Sequence, residues 1–128
     1  MMEITIHDVG HGACSVVTCP NGVRYMLDCG YCLKRPWFPS VQYAGQTIDR
    51  LIIQNLDEDH VQDLPSLLKT VNVRGIFSNP FLDAAKLKAM KPDGMRSGVT
   101  AAWRHLNANG PGHSGPLPYT DDVLVVHF

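Results

Sequence analysis

The chain of 128 residues has little that would carry it to a membrane or to a nucleic acid. No apolar run approaches the roughly 18 residues needed to span a bilayer. The N-terminal stretch MMEITIHDVG has neither the basic leader nor the apolar core of a signal peptide. Formal net charge is −1, which gives no strong attraction to phosphate backbones. A loose basic group, Lys86, Lys88, Lys91 and Arg96, reads as a solvated face rather than a nucleic-acid footprint. No internal repeat or low-complexity tract occurs. With 45% apolar and 18% charged residues the composition is globular, so one cytoplasmic domain over residues 1–128 is expected.

Cysteine is sparse as well: Cys14, Cys19, Cys29 and Cys32. Without an export signal, disulfides are the weaker reading. The spacing in CGYC is that of a zinc or redox motif. Cys14 and Cys19, however, sit five apart on an expected strand, so their side chains leave opposite faces. Buried free thiols are expected in preference to a four-sulfur site. A redox module around Cys29 and Cys32 lacks a thioredoxin-like strand–helix context.

What is present is alternation first and helical periodicity later. In EITIH, Ile4 and Ile6 alternate with polar neighbours, which predicts a half-buried strand. ACSVVTC is a second strand ended by the turn Pro20 to Gly22, and VRYMLD a third, so residues 2 to 28 predict an antiparallel meander. From Cys29 to Thr47 the chain is rich in Pro, Gly and aromatics, a long loop of the kind that forms lids or is disordered. IDRLIIQN predicts a buried strand. A helix should follow, with Val61, Leu64, Leu67, Leu68 and Val71 on one face, Asp63 as its N-cap and Pro65 in its first turn. VRGIF predicts a strand, residues 81–91 and 98–108 two helices, and DDVLVVHF a last strand. The order gives a mixed α/β (α+β) domain with layered sheet and helices. A central apolar strand needs a neighbour after it. Because the pattern stops at residue 128, the chain is expected to be truncated. The sheet face expected to carry Ile4, Ile6, Val16 and Leu124 should then lack a second layer and promote self-association.

The chemistry concentrates in LIIQNLDEDHVQDL, where Asp57, Asp59 and His60 leave the most apolar strand. Ligands at the C-terminal end of such a strand are held rigidly and face a crevice. Asp-x-Asp-His offers two carboxylates and an imidazole to a divalent cation, and Asn55 adds an amide oxygen. The same acids would equally suit a helix N-terminus, which its dipole favours. Asp28 ends the third strand before Gly30. Gly10 and Gly12 in DVGHGA permit a close approach of backbone to a ligand. No Lys-Ser/Thr follows them, so a phosphate-gripping P-loop is excluded.

Taken in order, IHDVGHGACSVVTCPNGVRYMLDCG followed by LIIQNLDEDHVQDLPSLL resembles the metallo-β-lactamase-fold hydrolases. It is most similar to the branch that includes the hydrolase domain of bacterial DNA-uptake competence proteins, over about residues 2–77. That branch shows Asp-Val-Gly-Gln-Gly-Asp-Ala, an Asn-Gly turn, a strand ending in Leu-Asp-x-Gly, and Thr-His-x-Asp-x-Asp-His-x-x-Gly-Leu. The resemblance implies the N-terminal half of an αββα sandwich. It implies a hydrolase holding zinc or manganese and acting on a phosphodiester or another phosphate-containing substrate of small-molecule or nucleotide type, through a metal-bound hydroxide. By position, Asn55 and Asp57 would belong to a first metal site, and Asp59 with His60 to a second. Asp59 would also orient the attacking water, and Asp28 would support the metal loop by hydrogen bonds.

The chain departs from that pattern. Asn55 stands where the family has its first His, Ala13 where the branch has Asp, and His11 in place of its Gln. Val61-Gln62-Asp63 replaces Ile-Gly-Gly. His113 in GPGHSGP resembles the family's Gly-His-Ser/Thr ligand loop but lacks the strand before it; His105 and His127 have no supporting context. Asn for His exchanges a borderline nitrogen for a hard neutral oxygen, leaning the set from zinc toward manganese or magnesium. The resemblance therefore implies weak metal binding and no appreciable hydrolysis by this chain alone. The alternative is a catalytically degenerate relative that acts as a binding or interaction module.

Overall fold

Three strands open the chain, β1 (Glu3–Ile6), β2 (Ser15–Thr18) and β3 (Arg24–Leu27). They form the expected meander, with Ile4 opposite Val17 and Val17 opposite Tyr25. The turn between β2 and β3 closes as Asn21 Oδ1 accepts from Val23 N–H at 3.1 Å and Gly22 takes a φ of 85°. The computed structural model describes residues 1–79 and 81–110. The expected strand over DDVLVVHF, which carries Leu124 and His127, and the preceding His113 lie outside the described residues.

The expected single strand IDRLIIQN divides into β4 (Thr47–Ile48) and β5 (Arg50–Ile52), and VRGIF yields β6 (Asn72–Val73) and β7 (Ile76–Phe77). β5 pairs parallel to β3 and to β7, giving a five-stranded mixed sheet in the order β1-β2-β3-β5-β7. β4 and β6 form a small parallel pair beside it. The helices are α1 (Pro39–Gln42), α2 (Glu58–Val61), α3 (Leu64–Thr70), α4 (Ala84–Met90) and α5 (Ser97–Asn109). The expected mixed α/β class holds. No helix among the described residues is long and apolar enough to cross a membrane.

Alternation along the strands separates two apolar clusters. Val16, Met26 and Leu51 pack with Leu64 and Leu67 of α3, Leu87 of α4, and Val99, Ala102 and Leu106 of α5. Full burial of each Val, Leu or Met side chain among them contributes about 1.5–3 kcal/mol, so this helix-on-sheet layer dominates stability. Val17, Tyr25 and Ile52 point to the opposite face, where the cluster, among the described residues, contains strand and turn residues and no helix. Ile4 and Ile6 share that face and are not half-buried: they are 62% and 78% exposed. Val16 does not line it, because its neighbour Val17 does, and successive strand residues point to opposite sides.

Further expectations change. The segment from Cys29 to Thr47 is not a structureless loop, since Cys32 and Trp37 form a β-bridge and α1 follows. The single helix after β5 is two short ones. Pro65 has no N–H for the carbonyl of Val61 and its ring would strike it, so a helix begun at Glu58 cannot pass. Val61, Leu64, Leu67 and Val71 are buried as expected, but Leu68 is 44% exposed. Asp63 occupies the N-cap of α3 without capping it, because its carboxylate accepts from the Ser40 N–H at 2.7 Å. The helix expected over 81–91 starts only at Ala84, where Asp83 caps it by accepting from Lys86 N–H.

Candidate functional site

Parallel pairing of β3 with β5 puts their C-terminal ends side by side, and this creates the site. Leu27 is in register with Ile52, and the next residue, Asp28, donates its N–H to Ile52 O at 2.9 Å. Asp28 is fully buried and takes a φ of 61°. That left-handed conformation costs a non-glycine residue about 1–2 kcal/mol, least for Asp and Asn, whose short polar side chains bond locally. Its strain is offset by two charge-assisted bonds: Oδ1 accepts from Gln54 N–H at 2.7 Å, and Oδ2 lies 2.8 Å from His60 Nδ1.

With Asp28 ionised, His60 donates Nδ1–H to it, and a neutral ring then keeps its Nε2 lone pair on the other side. Nε2 stands 3.7 Å from Asp59 Oδ1. Two donors sharing a tetrahedral ion with bonds of ~2.1 Å lie about 3.4 Å apart, so this pair fits one cation with little movement. Asp28 supplies the orienting bond that ligand histidines need. Burial raises the Asp28 carboxyl from its usual value, and the bonds from His60 and Gln54 oppose that rise.

The loop carrying Asp59 and His60 is sewn to two other turns. Cys29 N–H donates to His60 O at 2.8 Å, Asp63 N–H to Cys29 O at 3.0 Å, and Gly30 N–H to Ala13 O at 2.9 Å. The Asp59 carbonyl sits against Gly12 and Gly30, where a Cβ would approach it to 2.7 and 2.4 Å. The glycine pair in DVGHGA thus serves a close approach, but for Gly12 the partner is protein backbone. Glu58 faces away, accepting from the N–H groups of Gly98 and Val99 at 3.1 and 3.0 Å and joining α5 to the loop.

Asp57 parts from Asp59. Its Oδ1 lies 2.7 Å from Lys91 Nζ, and its N–H donates to Asn55 Oδ1 at 2.9 Å. Asp57 and Asn55 line a small cavity of about 180 Å³ with Lys91, whereas Asp59 lines another of about 530 Å³ with Gly10, His11, Tyr31, Cys32 and Lys34. Among the described residues no three His, Cys, Asp or Glu side chains stand close enough to hold a metal. Asp59 and His60 present two donors at a spacing one ion could bridge, whereas Asp57 Oδ1 and Asn55 Oδ1 are already engaged by an ammonium and a backbone N–H. His105 pairs with Asn109 on α5, away from this loop.

The cysteines are free. Cys14 and Cys19 lie in different apolar clusters, as strand alternation requires. Sequence reasoning missed Lys91, Glu58 and Gln62, whose Oε1 accepts from Tyr31 N–H at 3.2 Å. Nothing local marks them, since each acts on a partner more than thirty residues away in the chain.

Compared with protein-family models, with curated proteins and with solved structures, the chain matches none.

Proposed function

We propose that the chain is a metallo-β-lactamase-like hydrolase domain that binds one divalent ion, manganese or zinc, between Asp59 and His60. The observation that carries this reading is the Asp28–His60 bond, which turns Nε2 toward Asp59 across 3.7 Å. A bound ion there would acidify a water and polarise a substrate oxygen. The chain's own groups would do the rest. Asp28 holds the imidazole tautomer, Asp59 accepts a hydrogen bond from the attacking water, and Gly12 and Gly30 keep the loop pressed against its neighbours. The adjoining 530 Å³ cavity, with His11 and Lys34 on its wall, suits a phosphate-containing substrate of nucleotide size.

The half-sandwich architecture is part of the proposal. It is supported by the helix layer on one sheet face and by exposed Ile4 and Ile6 on the other, a face also suited to self-association. Four free thiols suit a reducing, cytoplasmic setting.

A second reading, a binding module without catalysis, is favoured by the Asp57–Lys91 pair. Calorimetric titration with Mn²⁺ and Zn²⁺ separates the two, alongside hydrolysis of bis(p-nitrophenyl) phosphate. Weak binding of one ion, lost in His60→Ala, with any turnover lost in Asp59→Asn, supports the hydrolase. Binding without turnover favours the second reading, and no binding at millimolar metal sinks the metal site.

A further inference from the structure

We propose that Lys91 is a built-in cation for the Asp57 half of the site, its ammonium replacing a first divalent ion, so that the chain holds one metal ion rather than two. The part of this that concerns ion number rests on the reading of Asp59 and His60 given above. The replacement itself rests on Lys91, Asp57 and Asn55.

The lysine is delivered by a fixed element. Asp83 caps α4, Leu87 is fully buried one turn before its end, and Lys91 is the C-cap residue. Its side chain is 24% exposed, against 58% for the Asp57 it reaches. Lys91 lines the same cavity as Leu82, Leu87 and Met90. The contact joins residues 34 apart in the chain and is made at 2.7 Å.

Ammonium and metal exclude each other here. An ion bonded at ~2.1 Å to the same Oδ1 would lie no more than about 5 Å from Nζ, two like charges competing for one oxygen. Asn55 offers no compensation. Its Oδ1 is folded onto the Asp57 N–H, and it is a neutral oxygen where the resembling family places an imidazole. Loss of a nitrogen donor and gain of a fixed positive charge act in one direction. Asp57 keeps a cation beside it, and that cation belongs to the chain.

The test compares Mn²⁺ binding, followed by the loss of the free-ion electron paramagnetic resonance signal, in the native chain, Asn55→His, Lys91→Met, Lys91→Arg and the double variant Asn55→His/Lys91→Met. We expect one ion in the native chain, in Lys91→Arg and in Asn55→His, and a second ion in the double variant at least tenfold tighter than any second ion in Asn55→His alone. A second ion bound equally well by Asn55→His with Lys91 intact overturns the proposal, as does a folded double variant with no second ion. Adding His60→Ala separates the two readings. If the native chain binds nothing, the Asp59–His60 reading fails; an ion gained by the double variant and kept in the His60→Ala background still upholds the role of Lys91, and no gain refutes it. Lys91→Arg, which keeps the charge, guards against a variant that merely misfolds.

Discussion

A Cβ on Gly30 would stand 2.4 Å from the carbonyl oxygen of Asp59, with Ala13 backbone atoms at 3.0 and 3.1 Å. All three neighbours are main-chain atoms, so none can swing aside as a side-chain tip would. Gly30→Ala is therefore expected to cost about 3 kcal/mol, the upper part of the overpacking range, and to push the Asp59–His60 loop away from Asp28. Gly10 is a different case. Its φ is 70° but none of the described residues lies within 4 Å, so Gly10→Ala should cost about 1 kcal/mol of backbone strain and leave the loop in place. Urea denaturation of both variants decides this, and equal costs would contradict the close-approach account.

Asp28→Asn should destabilise the chain by about 1–3 kcal/mol. The fully buried carboxylate takes bonds from Gln54 N–H and His60 Nδ1, and an amide offers only one oxygen to those two donors. The substitution should also release the His60 tautomer, visible in its imidazole ¹⁵N shifts. A variant as stable as the native chain, with an unchanged ring, would mean the bond does not orient His60.

The Asp57–Lys91 pair should give a distinct pH dependence. The hydrogen bond from Lys91 is the main reason the Asp57 carboxyl lies below its usual 3.8. A carboxyl depressed in the folded state contributes stability above its unfolded value, and that stability is lost as pH falls through the folded value. Lys91→Met should accordingly melt a few degrees below the native chain at neutral pH, with the gap closing below about pH 3.8. Asp28 and Asp63 have the opposite sign, since burial raises both; their contribution is full below 3.8 and is lost as pH rises through the raised values. A melting gap that does not narrow at all as pH is lowered from 7 to well below 3.8 would show that Lys91 acts through packing alone.

Thiol labelling should single out Cys32. It is half-buried at the cavity wall, and backbone N–H groups of Arg35 and Lys34 draw its thiol below the usual range. Burial pushes Cys14 up to about 12 and Cys29 well above its ordinary value. With limiting iodoacetamide at pH 7.5, peptide mapping should find Cys32 modified first and Cys14 and Cys29 unmodified until the chain unfolds. Early labelling of Cys29 would mean that the loop beneath His60 opens readily.

Sequence alone determined what depends on near neighbours. The β1–β3 meander followed from alternation and the Asn21–Gly22 turn, the buried face of α3, Leu68 apart, from helical spacing, and the positions of Asp28, Asp59 and His60 from their place just beyond apolar strands. Where Ile4 and Ile6 point was not legible, because alternation says that two sides differ and not which side the helices cover. Nor was the break at Pro65 drawn, although its cause is local. The partition of the site was decided by tertiary structure alone. Asp57 and Asp59 are two residues apart, yet α4 brings Lys91 to the first, while parallel pairing of β3 with β5 brings Asp28 to the histidine beside the second. A carboxylate answers to whichever cation or donor stands within about 3 Å of it, and the fold chooses that neighbour from the whole chain.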